Sequence, residues 1–202
     1  MKKTLLVLIT AVFGWPAPAA YEIRSGDPSV LELTVEKTGL LSGKKHRFTF
    51  SRYHAALEFE PAAPEISNVV LTIEAGSITC QDTWLSAKDL RKVQDYAVKD
   101  MLAADRYPRI AFRSTAIMKI DSSQYQVQGE LTIRNVSRPV TVTASLQAGA
   151  NTLPLIEGSA RVRLTDFGLK PPTAVLGAIG TKNEMMFHFV LAVKPQSVSP
   201  AE

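Results

Sequence analysis

Apolar and polar side chains alternate one by one along most of the chain. Leu31, Leu33 and Val35 are interleaved with Glu32, Thr34 and Glu36. Phe48 and Phe50 flank Thr49, Leu57 and Phe59 alternate with Glu58 and Glu60, and Val69, Leu71 and Ile73 continue the rhythm. Further on, Val127, Gly129, Leu131 and Ile133 alternate with polar residues, as do Val140, Val142, Ala144 and Leu146. Val162 and Leu164 follow, and the last run sets Phe187, Phe189 and Leu191 on one side with His188 on the other. Successive side chains of a strand point to opposite faces, so each run predicts a strand with one apolar face. The links between runs are short and turn-rich, as at Asp121-Ser122-Ser123 and Gly149-Ala150-Asn151. The prediction is therefore an all-β, antiparallel domain of about eight strands. Its apolar face must be buried by closing the sheet or stacking two, and alternation alone accommodates both barrel and sandwich.

One stretch departs from this period. Leu90, Val93, Ala97, Met101 and Ala104 recur at helical spacing, opposite Lys92, Asp95 and Lys99. Ser86 followed by Asp89 has the form of a capping box, and Pro108 stops any continuation. This predicts one inserted helix at 86–104, docked on the sheet. Its polar face carries both charge signs, unlike the Lys/Arg-rich face of a membrane-surface helix.

The first residues follow neither rhythm. Lys2 and Lys3 precede the apolar run Thr4–Trp15, and Ala17-Pro18-Ala19 has the small residues of an A-x-A cleavage site. The run falls short of the roughly 20 residues that a bilayer requires. It predicts a cleavable export signal over 1–19, a domain over 20–195 and a polar tail over 196–202, with the mature protein periplasmic. The 202 residues are 46% hydrophobic and 21% charged, an ordinary globular composition. The net charge of +4 falls by two without Lys2 and Lys3. The densest basic stretch is Lys44-Lys45-His46-Arg47, so nucleic acid is not an expected partner. Cys80 is the single cysteine, which excludes an intramolecular disulfide and reads as a buried, inert thiol.

Chemistry-bearing motifs are sparse. The chain has no C-x-x-C, H-x-x-x-H or H-E-x-x-H spacing, no phosphate-binding loop and no G-x-S-x-G. His46 and His54 offer a pair without a third ligand in pattern, so neither a metal nor another cofactor is expected.

Three segments, in order, resemble the YceI-like family of exported lipid-binding proteins. These are Asp105-Arg106-Tyr107-Pro108-Arg109-Ile110-Ala111-Phe112-Arg113-Ser114-Thr115, the stretch Gln126 to Val140 (QVQGELTIRNVSRPV), and Asp166-Phe167-Gly168-Leu169-Lys170. Asn135 stands where that family commonly has Gly. The resemblance spans roughly Val30 to Val193 and implies a lipocalin-like antiparallel barrel around an elongated apolar cavity. Such a cavity would hold a polyisoprenoid or similar long-chain amphiphilic lipid, without catalysis and with no more than transient membrane contact.

The inward set on this reading is Leu33, Val35, Phe48, Phe50, Phe112, Leu131, Leu164, Phe187 and Phe189, forming either a cavity wall or a packed core. Lys45, His46 and Arg47 are candidates for the mouth, where they would meet a polar headgroup. Two other readings remain at this stage. One is an exported structural or interaction domain with a solid interior. The other is an enzyme using His46 and a nearby carboxylate as acid and base.

Overall fold

The computed structural model describes residues 18–26, 28–147 and 153–196. The expected leader up to Ala17, the turn at Gly149-Ala150-Asn151 and the tail from residue 197 lie outside the described residues.

Among the described residues, twelve strands form one antiparallel sheet: β1 (Ala19–Arg24), β2 (Val30–Gly39), β3 (Lys45–Phe50), β4 (Tyr53–Phe59), β5 (Asn68–Glu74), β6 (Ile78–Cys80), β7 (Arg109–Lys119), β8 (Gln124–Ile133), β9 (Val136–Gln147), β10 (Leu155–Arg163), β11 (Ile179–Ala192) and β12 (Lys194–Pro195). Four of the chain's paths are each broken into two strands. β1 and β2 are separated at Gly26, where φ is +120°. β3 and β4 are separated by Ser51 and Arg52, β5 and β6 by the tight turn Ala75–Ser77, and β11 and β12 by Val193. The halves pair in step: β2 with β3 and β11, β1 with β4 and β12. Counted as continuous paths there are eight, each bonded to the next, and the last returns to pair with the first. The sheet thus curls into the antiparallel barrel that the resemblance implies, and it decides between the barrel and the sandwich that alternation alone left open.

The breaks in neighbouring paths are tied together. The buried Ser77 hydroxyl donates to the Glu74 carbonyl at 2.7 Å and accepts from the Arg52 amide at 3.2 Å. These bonds satisfy backbone groups that leave the ladder where the strands bend.

Helix α1 (Ala87–Asp95) lies across the one interrupted side of the barrel, against β6. Ser86 caps it, accepting from the Asp89 amide at 3.1 Å. The expected helix over 86–104 is α-helical only to Asp95. A wider π-helical turn continues over Tyr96–Met101, and Ala103, with φ +46°, ends it. From α1, Gln94 satisfies the free edge of β6. Its Oε1 accepts from the Cys80 amide and its Nε2 donates to the Ile78 carbonyl, both at 2.7 Å. A side-chain amide here stands in for a missing strand, because unpaired edge groups buried under a helix would be costly.

The β8–β9 hairpin turns on two residues, Arg134 and Asn135, at φ +51° and +63°. Two consecutive positive φ values match the right-handed twist of the flanking strands. Asn tolerates this conformation better than other non-glycine residues, which accounts for Asn135 at a position that the family commonly gives to Gly.

Candidate binding cavity

The inward faces of the strands do not fill the barrel. Two chambers lie along its axis, of about 250 Å³ and 380 Å³, and Phe187 lines both. The first is walled mainly by β1, β4, β5, β7–β10 and the end of β11. The second is walled by β2, β3, β6, the helix and the start of β11. Val140, Val142 and Ile156 are half-buried despite sitting on the inward side, because that side faces open volume.

Two glycines help to create this room. A Cβ on Gly158 would stand 2.5 Å from Cζ of Phe189, its directly paired residue, and one on Gly129 equally close to Cζ of Phe112. Each ring lies over the glycine of the neighbouring strand, in the space left by the missing side chain.

All nine residues expected in the inward set line a chamber. Phe112, Leu131, Phe187 and Phe189 line the first, and Leu33, Val35, Phe48, Phe50, Leu164 and Phe187 the second. Leu164 arrives there through a tight turn, Leu164–Phe167, ended by Gly168 at φ +70° and tied by Asn183, which accepts from the Thr165 amide at 3.0 Å. That turn is the Asp-Phe-Gly element. Its Phe167 and Leu169 are buried, and Leu169 closes the second chamber beside Leu164.

The pleat divides the three candidates for the mouth. Lys45 and Arg47 project from the outer face of β3, where Arg47 pairs with Glu32 at 2.6 Å and Lys45 with Glu36 at 3.3 Å. The Arg47 guanidinium holds the Glu32 carboxyl below the usual carboxylate range. These two basic residues therefore correct the expectation that the whole trio faces a headgroup: adjacent residues on a strand cannot share a face. His46 is the one that turns inward and lines the second chamber.

His46 is held from behind. Its Nδ1 lies 2.5 Å from Oδ2 of Asp82, whose side chain is 1% exposed, and Oδ1 of Asp82 accepts from the Arg47 amide at 2.8 Å. The Trp84 ring stacks on the imidazole, 5.4 Å between centroids, and its indole N–H donates to the Lys45 carbonyl. With Nδ1 engaged, Nε2 is the ring nitrogen left to the chamber.

Cys80, His46 and Asp82 bring donor atoms within 4.8 Å of one another. Both Asp82 oxygens are already taken by hydrogen bonds, one from the Arg47 amide and one with His46 Nδ1. The cluster reads as a closed hydrogen-bonded support for His46 rather than an open metal site. His54, the other half of the pair weighed in the sequence, lies on the outer face of β4, exposed.

Lys37 lies outside the inward set expected from the sequence, although the strand period points to it. It continues the inward series Leu31, Leu33 and Val35 by one more step of two, and is buried at 8% exposure in the lining of the second chamber. A basic residue at the end of an apolar series looks like the end of the strand's buried face, whereas here the period carries on. Lys92 and Tyr96 on the helical segment and Thr173 and Ala174 on the loop before β11 also line this chamber and are exposed, marking its opening.

Comparison with known proteins places this architecture. The family model described as a YceI-like domain matches residues 21–191. A UPF0312 protein of Pseudomonas aeruginosa is 30% identical over 183 residues, covering 84% of this chain and 88% of that protein. Among solved structures, Burkholderia cenocepacia BcnA superposes with a TM-score of 0.65 at 22% identity, over 81% of this chain and 94% of that one. A polyisoprenoid binding domain from Saccharophagus degradans, implicated in plant cell wall breakdown, superposes with a TM-score of 0.61 at 12% identity, over 88% and 99%. The solved structures share the overall fold of this chain, and the match over residues 21–191 shows that the chain belongs to the YceI-like domain family.

Proposed function

We propose that this protein binds and carries a polyisoprenoid or similar long-chain amphiphilic lipid inside the barrel. The observation that carries this reading is the pair of chambers meeting at Phe187, one almost wholly apolar and the other opening beside the helix. Together they fall in the size range of small-molecule sites, about 300–1,000 Å³. Each buried chain methylene contributes about 0.8 kcal/mol, so a long tail binds firmly without a single polar contact. The polyisoprenoid binding domain among the structural neighbours supports the same ligand class. A solid interior, the structural-domain alternative, is disfavoured by the chambers themselves. In this reading the protein holds its ligand rather than transforming it, with the His46–Asp82 pair serving recognition. The charged and apolar run of the first residues, Lys2 to Trp15, supports an exported, periplasmic carrier.

Native mass spectrometry of the purified protein, followed by organic extraction, tests the proposal. A stoichiometric long-chain lipid is expected. Repeatedly empty extracts, together with failure to take up any added long-chain lipid, overturn it.

A further inference from the structure

The two chambers differ in chemistry. The lining of the first is apolar but for Ser145 and the tyrosines Tyr21 and Tyr125, whereas the second carries Lys37, His46 and Thr181 on three adjacent strands. Thr181 is paired directly with Lys37 across β11 and β2, and His46 is paired with Val35, which puts it diagonal to Lys37 on the inward face of β3.

Lys37 is the unusual member. Its Nζ donates to the Thr181 hydroxyl at 3.1 Å, a neutral partner. Among the described residues no carboxylate lies within ion-pair distance of it. The two acidic residues of its own strand, Glu32 and Glu36, are on the outer face, engaged by Arg47 and by Lys45 and Lys182. Burial pushes the ammonium down from the ordinary lysine range, and no neighbouring acid opposes it. A buried cation with no counter-charge is disfavoured unless an anion meets it, and lysine in such a place is rare unless paired.

We propose that the second chamber receives an anionic headgroup, a carboxylate or phosphate, against Lys37 Nζ, with His46 Nε2 and the Thr181 hydroxyl beside it. The tail runs past Phe187 into the first chamber. This rests on the lipid-carrier reading and adds the headgroup's charge to it. The order of the chambers follows from solvation: the polar end lies near the opening by Lys92 and Thr173, and the tail lies in the dry end.

Binding of chain-matched pairs to the delipidated full chain tests it: palmitate against hexadecanol, and geranylgeranyl phosphate against geranylgeraniol. At least one anion is expected to outbind its alcohol by about tenfold or more, through a charge-assisted hydrogen bond in a site shielded from water. Lys37→Met is expected to erase that preference by weakening the anion more than the alcohol. Lys37→Arg keeps most of it. A preference confined to one pair identifies the headgroup as carboxylate or phosphate. Equal affinities within both pairs for the wild type, or a preference that survives in Lys37→Met, overturn the headgroup assignment and leave the carrier reading standing. Failure of all four to bind overturns both. The wild-type comparison needs no variant to fold, and Lys37→Met, which replaces a buried ammonium by an apolar side chain, is expected to melt at or above the wild-type temperature.

Discussion

Asp82 holds His46 by the ring nitrogen that faces away from the chamber, at 2.5 Å, from a carboxylate almost wholly removed from water. The arrangement fixes the imidazole's orientation and leaves its other nitrogen for the interior. Asp82→Ala deprives both His46 Nδ1 and the Arg47 amide of their acceptor. The expected loss is about 2–3 kcal/mol in a denaturant titration, the cost of leaving buried polar groups unpaired. Trp84 emission should shift as well, because its ring is stacked on the imidazole. Asp82→Asn, which keeps an acceptor oxygen, should lose less. An unchanged midpoint in Asp82→Ala would show that the pair contributes nothing to the fold.

Gly158 and Phe189 form a second pair whose geometry matters. A Cβ at 158 would meet both the Phe189 ring and the Thr143 carbonyl oxygen at 2.5 Å, so a valine must displace the ring toward the first chamber and shift the β9 backbone as well. Gly158→Val is expected to cost about 1–3 kcal/mol from overpacking and to reduce the lipid retained per protein. Thermal unfolding and quantitative extraction read the two effects separately. Full lipid occupancy in this variant would show that the ring does not border the bound tail.

Alkaline pH should weaken the fold in a defined window. Burial raises the Cys80 thiol from 9.0 to about 11 and the Tyr53 phenol from 10.0 to about 12. Across these intervals the folded chain keeps protons that the unfolded chain releases. Stability is therefore fully present below about pH 9 and falls as pH rises through the two intervals. Cys80→Ala and Tyr53→Phe should each flatten the decline, measured by denaturant midpoints from pH 8 to pH 12. The same burial predicts that native Cys80 resists alkylation at pH 8 and reacts once the chain is unfolded.

The β8–β9 hairpin offers a stabilising change. Asn135 is at φ +63°, where glycine has no steric penalty, and Asn-Gly is the favoured pair for such turns. The double change Arg134→Asn with Asn135→Gly should raise the melting temperature, by no more than about 1 kcal/mol of stability. The rest of the barrel should be untouched, as read by unchanged lipid occupancy. A lower melting temperature would mean that Arg134 contributes more than its backbone angle suggests, through its contacts with the Met101 carbonyl and the Tyr107 ring.

The existence and facing of most strands are legible in the sequence. Period-two alternation has one physical cause, the pleat, and it assigns Leu33, Phe48, Leu131 and Phe187 to the inside without any tertiary information. The same rule, followed one step further, places Lys37 inside and Lys45 and Arg47 outside. A charged residue reads as solvent-facing by type, and in this case register overrides type. The break at Gly26, the bend at Ser77 and the shortened helix left no comparable signal, because they depend on how neighbouring paths bend together.

What the sequence determined by itself is the local pattern: which residues share a face, where the helix begins, and which turns need an unusual backbone. Each of these is set by a residue and its near neighbours. Only the tertiary structure decided that the sheet closes through β12 onto β1, that the interior stays open, and that Asp82, 36 residues from His46 in the chain, stands behind its ring. Closure and cavity depend on the summed twist of every strand, and an open volume is a property of the space between side chains, which no single run of residues encodes.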